Sequence, residues 1–492
     1  MGIKARGKEK AKELAERPPG ESNQKTFILF CMIIFTLNMD SGIVPASLSK
    51  IQQEIQISFQ EQGAIGALVF LGICMGSLTV TPVLQQFSAS ATLSNLLITY
   101  AIFTALFSFC YDLYLVYICR LAMGFTRSFF TIYGPVWVNE FSPPESSTKW
   151  LGSLQASSSL GAIGGYTLAG LIIILLDGYL SWRSAVQIQA IALVPLFLLL
   201  KSKDRATIDI IDASVEENAK TIVSPGDHPT GLSKIIRIDT INISHLANFM
   251  LQIKALFSNG VFVWVTLSLG SLMFVITGVQ YWMTLYMLQV LKADHLEVII
   301  AFSVICSTAP MFGVMFGGWL SDHMGGYKEK NRLNAVQLTL VFSILAAVFA
   351  VPISFVGSFN YVCPLLWVMM FWGGALYPIA TGINISTQSR ENQSAASSIS
   401  QLVFNIGAYF APTLSAAVMD MFSDRITGLR WGIRCVFLSS IFGLLFIIAA
   451  WVVCYKKHQL YEEEERDEVG DLYSNNEFKI EMLRRRLHSY SF

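Results

Sequence analysis

Twelve apolar stretches recur along this chain of 492 residues, and each is long enough to cross a bilayer as an α-helix. A crossing takes about 20 residues. Charged residues make up 14% of the chain, whereas soluble domains carry about 25%. We therefore predict an all-α, multi-pass integral membrane protein. The expected spans are residues 26–44, 63–83, 91–110, 113–139, 150–176, 185–200, 260–291, 296–316, 335–356, 362–385, 394–419 and 433–455.

The spans fall into two sets of six, separated by a polar stretch. We expect a first bundle over residues 26–200, a linker with an amphipathic helix over 201–259, and a second bundle over 260–455. Residues 1–25 and 456–492 are then charged terminal segments. Two six-helix halves joined by a long linker are typical of alternating-access carriers, which bind substrate between the halves at mid-depth.

The placement of lysine and arginine predicts the orientation of the chain. These residues are concentrated in the first segment, in the linker and in the loop after the eighth span. Basic loops face the cytoplasm, so both termini and the linker are expected there. Within the linker, residues 241–257 have the spacing of an amphipathic helix that lies on the membrane surface. The sequence does not distinguish an endolysosomal from a plasma membrane.

The fourth span carries two arginines inside its apolar run, Arg120 and Arg127. An arginine in hydrocarbon costs at least about 3 kcal/mol on insertion scales. The two are seven residues apart, so with Gly124 and Thr131 they form one helical stripe that should face a water-filled cavity or a buried partner. Asp40 lies at similar depth in the first span and could pair with Arg127, whereas Arg120 has no partner that the sequence shows. The alternative is an ion pair that only holds the bundle together.

The charges of these three residues sum to +1, which favours binding of an anionic group such as a phosphate or carboxylate. Asp40 is also a candidate for proton coupling, because burial favours a protonated carboxylate whereas a nearby arginine favours an ionised one. The second half is aromatic and apolar, which suggests an amphipathic substrate. The expected substrate-binding residues are Arg120, Arg127, Gln280, Tyr281, Tyr377 and Asn405.

Several classes of site lack their sequence signals. The eight cysteines form no CxxC pair and are expected to be free thiols. None of the six histidines lies inside a predicted span, so no metal site is expected. There is no HExxH motif, nucleophile motif or phosphate-binding loop. We therefore expect neither an enzyme, nor a cofactor, nor a nucleic-acid partner.

The order of several motifs resembles the spinster branch of the major facilitator superfamily. Residues 37–40 (LNMD) and 51–53 (IQQ) are similar to that branch's asparagine-x-x-aspartate and isoleucine-glutamine-glutamine motifs. The resemblance covers about residues 26–455, and it implies the twelve-helix fold of the superfamily and export of lysolipids or sphingoid phosphates, often with proton coupling. Further matches are Arg120, Gly124, Pro135, Glu140, residues 255–259, residues 282–286, Gly407, Pro412 and Asp420.

The chain departs from this branch at charged positions. The family's arginine after the first-span aspartate is Ser41 here, and its fourth-span glutamate is Arg127. The loss of that glutamate weakens the expectation of proton coupling most. In the superfamily an acid at the position of Asp322 helps to latch the cytoplasmic gate, but the matching first-half loop, residues 82–89, has neither an acid nor a base.

Two functions remain open at this point. The first is a secondary active transporter of an amphipathic or anionic small molecule, such as a lysolipid, a sphingoid phosphate or an organic anion. The alternative is a homologue that no longer transports and acts as a sensor or a structural subunit of a larger membrane complex. A carrier needs a cavity beside Arg120 and Arg127 that opens to one side, whereas a subunit could fill it.

Overall fold

The computed structural model describes residues 21–143, 147–176, 179–210, 254–326, 331–388 and 393–488. These residues contain twelve helical spans that are long and apolar enough to cross a membrane, so the predicted number is confirmed. Helices α1 and α2 together form the first span. The helices are α1 (Glu21–Asn38), α2 (Asp40–Ile55), α3 (Phe59–Gln86), α4 (Ala89–Phe109), α5 (Leu113–Phe141), α6 (Ser147–Leu175), α7 (Trp182–Ser202), α8 (Gly260–Gln289), α9 (His295–His323), α10 (Arg332–Ile353), α11 (Phe359–Ser386), α12 (Gln393–Asp420) and α13 (Arg425–His488).

Three predicted spans end well before their helices do, among them the eighth, predicted over 296–316, whose helix α9 continues to His323. The first, predicted to end at residue 44, continues through α2 to Ile55. Its charged residues Lys50 and Glu54 lie in the last turns of this helix. The last, predicted to end at residue 455, belongs to a helix that continues to His488, so most of the charged terminal segment is helical. The amphipathic helix predicted over 241–257 lies outside the described residues except for its last turn, residues 254–257, which is helical.

A break in the helical hydrogen-bond pattern at Met39 separates α1 from α2 within the first span, although Met39 itself keeps helical dihedral angles of φ −59° and ψ −35°. Backbone carbonyls near this break accept hydrogen bonds from side chains of neighbouring helices. Gln189 Nε2 donates to the Thr36 carbonyl and the Tyr100 hydroxyl donates to the Leu37 carbonyl, both at 2.8 Å. Backbone polar groups in a bilayer need such internal partners, so the break is stabilised by α4 and α7.

Glycines of α6 bring this helix into backbone contact with the first span. A Cβ atom at Gly161 would lie 2.1 Å from the Phe35 carbonyl oxygen, and one at Gly165 would lie 2.0 Å from the Met39 carbonyl oxygen. Only glycine allows so close an approach, and small residues at helix contacts in membranes serve this purpose. The packing fixes the backbone that carries Asp40.

The spans pack as two bundles, α1–α7 and α8–α13, which meet chiefly through the pairs α3 and α12, α6 and α9, and α2 and α8. We call the end at which α2 ends and α3 begins the far end, and the end at which α1 begins the terminal end. Four hydrogen bonds between described residues of the two bundles lie toward the far end. They join Gln60 to Asp420, Gln62 to Tyr281, Tyr166 to Thr284 and Thr167 to Ser303.

Candidate functional site

Asp40, Arg120 and Arg127 form a buried charge cluster midway along the first span, Asn23–Ile55. Arg120 Nη1 lies 2.8 Å from Asp40 Oδ2, and Arg127 Nη1 lies 3.4 Å from Asp40 Oδ1. The side chains of Asp40 and Arg120 are each 3% exposed, and that of Arg127 is 12% exposed. The predicted contact between Asp40 and Arg127 is present, and one carboxylate bridges two guanidinium groups.

The structure supplies the partners of Arg120 that the sequence does not show. Besides the contact with Asp40, its Nε donates to the Ile65 carbonyl of α3 at 2.9 Å, and its guanidinium lies 5.7 Å from the ring centroid of Phe107. The long side chain lets Arg120 reach the carboxylate from the far-end side while Arg127 reaches it from the other. Arg120 is therefore held by the protein in this conformation.

Arg127 binds the residues on both sides of the break. Its Nη1 donates to Ser41 Oγ at 2.9 Å, and its Nη2 donates to Asn38 Oδ1. Ser158 of α6 donates to the same Asn38 oxygen at 2.8 Å. Arg127 Nε has no hydrogen-bond partner among the described residues. The serine that replaces the family's arginine thus helps to hold Arg127, which keeps one unused donor.

Exposure increases along the predicted stripe of α5. Arg120 and Gly124 are buried, Arg127 is half-buried and Thr131 is exposed. Gly124 is closed off by α3, since a Cβ atom there would lie 2.0 Å from the Val69 carbonyl oxygen. Because α5 runs from the far end to the terminal end, burial along this stripe decreases toward the terminal end.

Tyr281, a predicted substrate-binding residue, lies in the contact between the bundles. It is fully buried, and its hydroxyl donates to the Gln62 carbonyl of α3. Its ring covers Gly66, where a Cβ atom would lie 2.5 Å from the ring. In this conformation Tyr281 is therefore part of the contact between the bundles at the far end, and its role in substrate binding remains a prediction. The neighbouring Gln280 is half-buried.

Tyr377 and Asn405, the other predicted substrate-binding residues of the second half, lie close to each other. Tyr377 is half-buried and lies within hydrogen-bond reach of Gln401, and its ring centroid is 5.9 Å from that of Phe404. Asn405 is also half-buried, and its Nδ2 donates to the Gln401 carbonyl at 2.8 Å. Aromatic and amide groups thus meet on α11 and α12. Their contact with a substrate remains a prediction.

Asp322, the predicted cytoplasmic gate residue, lies in the last turn of α9 rather than in a loop. Its side chain is exposed, and its backbone carbonyl accepts a hydrogen bond from the Gly325 N–H at 3.1 Å. The glycines that follow, Gly325 and Gly326, have positive φ angles of 92° and 76°, which end the helix sharply. The role of Asp322 in a gate remains a prediction.

Comparisons with known proteins agree on one family. A model of the Major Facilitator Superfamily matches residues 29–356. An Arabidopsis thaliana protein named "Probable sphingolipid transporter spinster homolog 1" is 23% identical over 314 residues. That match covers 63% of this chain and 60% of the plant protein, which is less than two thirds of the relative's length.

Solved structures match over nearly the whole chain. A bacterial homolog of the human lysosomal transporter Spinster, in an inward-facing and unoccupied conformation, matches with a TM-score of 0.70 and 13% identity, covering 89% of this chain and 98% of the other. The nucleoside transporter NupG matches with a TM-score of 0.58 and 13% identity, covering 87% of this chain and 98% of the other. At these identities the likeness concerns the fold.

Proposed function

Because this chain belongs to the Major Facilitator Superfamily and resembles its spinster branch, we propose that it transports an amphipathic molecule with an anionic head group by alternating access. The observation that carries the proposal is Arg127. It belongs to a cluster of net charge +1 in the first half, its side chain is 12% exposed, and its buried Nε has no hydrogen-bond partner among the described residues. A charge inside a membrane protein is costly and marks a substrate or ion pathway by default.

The chemistry of the cluster selects the head group. Asp40 neutralises one guanidinium, so the second positive charge is left for a ligand. A planar guanidinium suits a phosphate or a carboxylate, which accepts two parallel hydrogen bonds. Arg127 is the better placed of the two arginines, because burial along the stripe of α5 decreases on its side. The apolar body of the ligand would lie along Tyr377, Phe404 and Asn405.

The name of the plant relative, a probable sphingolipid transporter, agrees with this chemistry. A sphingoid phosphate or a lysolipid combines a phosphate head with a single apolar chain. We therefore propose that class as the substrate. Contacts concentrated at the far end fit one state of an alternating-access cycle, in which the site opens toward the terminal end and the far end must open for release.

Replacing Arg127 with glutamine should lower uptake of a labelled sphingoid phosphate into proteoliposomes by about tenfold or more, because hydrogen bonds to charged groups contribute about 1.5–3 kcal/mol each. Initial uptake rates, normalised to monodisperse folded protein, measure the effect. Arg430→Gln is the matched control, since Arg430 is an exposed arginine at the far end. It should leave the rate unchanged.

Three outcomes of that experiment would count against the proposal. Equal rates for the wild type, Arg127→Gln and Arg430→Gln would remove Arg127 from the substrate site. Uptake of an uncharged single-chain lipid at the same rate would remove the anionic head group. Saturable binding of the sphingoid phosphate without any uptake would favour the alternative function, a sensor or structural subunit.

Proton coupling through Asp40 is the finer part of the proposal, and it needs a variant that folds. Replacing both Asp40 with asparagine and Arg120 with glutamine removes both partners of the shorter ion pair, so that only Arg127 keeps its charge without the carboxylate. In the wild type, uptake should respond to an imposed pH gradient and lose that response when nigericin collapses the gradient. The double variant should lose the response. An unchanged response there would exclude Asp40 as the proton carrier.

A further inference from the structure

Two charged residues at the far end lie at electrostatically unfavourable ends of their own helices. Asp420 is the last residue of α12, where unpaired carbonyl groups disfavour a carboxylate. Arg425 is the first residue of α13, where unpaired N–H groups disfavour a cation. Neither placement benefits the helix that carries it. Residues that oppose a local rule in this way often serve a contact elsewhere in the molecule.

Both residues contact the start of α3, which belongs to the opposite bundle. The Gln60 backbone N–H donates to Asp420 Oδ2 at 2.9 Å. The Arg425 guanidinium lies 4.4 Å from the ring centroid of Phe59. The first turn of a helix favours an anion, and an aromatic face favours a cation. Each charge that its own helix disfavours is therefore favoured by the partner bundle.

The contact lies at the rim of a buried seal. Phe59 is buried and its ring centroid is 6.0 Å from that of Trp282, while Tyr281 binds the next turn of α3. Asp420 and Gln60 are exposed. Water at the far end thus reaches the polar contact but not the aromatic one beneath it.

We propose that Asp420 and Arg425 form a clasp on the first turn of α3 that holds the far end closed and favours the conformation open at the terminal end. The two residues and α3 belong to different bundles, so their contacts are lost when the far end opens. Interactions present in only one of two conformations shift the equilibrium toward that conformation. The clasp also agrees with the sequence of the first-half loop, residues 82–89, at the opposite end of the protein. This loop lacks the charges that form the superfamily's latch at the terminal end.

Distances between spin labels test the clasp. Tyr114 and Tyr361 are exposed at the far-end starts of α5 and α11, one in each bundle, and can be replaced with p-acetylphenylalanine for labelling beside the native cysteines. Long distances between the two labels represent the open far end, and short distances represent the closed far end. Asp420→Asn should raise the ratio of the long-distance to the short-distance population about two- to fivefold, the size of an anion effect at a helix terminus. The measurement needs no substrate, so it tests the clasp even in a protein that transports nothing.

Asp424→Asn is the matched control, because Asp424 lies four residues away and caps its own helix. It accepts hydrogen bonds from the Thr427 N–H and hydroxyl, which lower its pKa. The control should leave the distances unchanged, and Asp420→Glu should restore the wild-type ratio. The clasp is overturned if Asp420→Asn leaves the ratio at the wild-type value, or if Asp424→Asn raises it equally. Thermal unfolding of each variant identifies a general loss of structure, which would also count against the clasp.

Discussion

Replacing Asp40 with asparagine should lower the free energy of unfolding by about 3–5 kcal/mol, the cost of removing one partner from a buried ion pair. Arg120 and Arg127 would then share no carboxylate, and both lie mostly out of water. Unfolding in mixed micelles with increasing sodium dodecyl sulfate, followed by tryptophan fluorescence, measures the change. Asp322→Asn removes an exposed carboxylate and should change the free energy of unfolding by less than about 0.5 kcal/mol.

A double variant separates the ion pair from its surroundings. Arg120→Gln alone should also destabilise the protein, but combined with Asp40→Asn it should recover part of the loss, because no isolated buried charge of that pair remains. Strictly additive losses would show that the contact of 2.8 Å between them contributes no coupling.

Replacing Gly165 with valine should destabilise the protein by about 3 kcal/mol, the upper part of the usual range for overpacking. The reason is that the added Cβ atom would lie 2.0 Å from the Met39 carbonyl oxygen, and a backbone atom cannot move aside as a side chain can. The same change should move Asp40 away from the arginines, because Asp40 follows Met39 directly.

Gly152→Val provides the control on the same helix. Gly152 is exposed, and a Cβ atom there would have no neighbour within 4 Å. This variant should elute and unfold like the wild type. If Gly165→Val did the same, α6 and the first span could not be packed backbone to backbone as described.

The helical spans could be predicted because long apolar runs leave few alternatives in a bilayer. The end of the first span was less predictable, since Lys50 and Glu54 reduce its apolar character although they lie in the last turns of α2. The break at Met39 was not predicted at all. The carbonyls of Thr36 and Leu37 accept side-chain hydrogen bonds from Gln189 and Tyr100, and no sequence pattern marks such acceptors.

Within the site, the identity of the charged residues could be predicted but their partners only in part. Spacing along α5 placed Arg120 and Arg127 on one face, which the structure bears out through their shared Asp40. The partner of Arg120 Nε is a backbone carbonyl, that of Ile65, and no side-chain pattern marks such an acceptor. Asn38 was visible as part of a motif, but its contact with Arg127 depends on the backbone at the break.

The break at Met39 interrupts the hydrogen-bond pattern of the first span, while the dihedral angles of Met39 stay helical. Both parts pack chiefly against α6 of their own bundle, and the α2 part also contacts α8 of the second bundle. Arg127 holds Asn38 on one side of Met39 and Asp40 on the other. Because one guanidinium group binds both parts of the span, a displacement of α2 relative to α1 would change the contacts of Arg127.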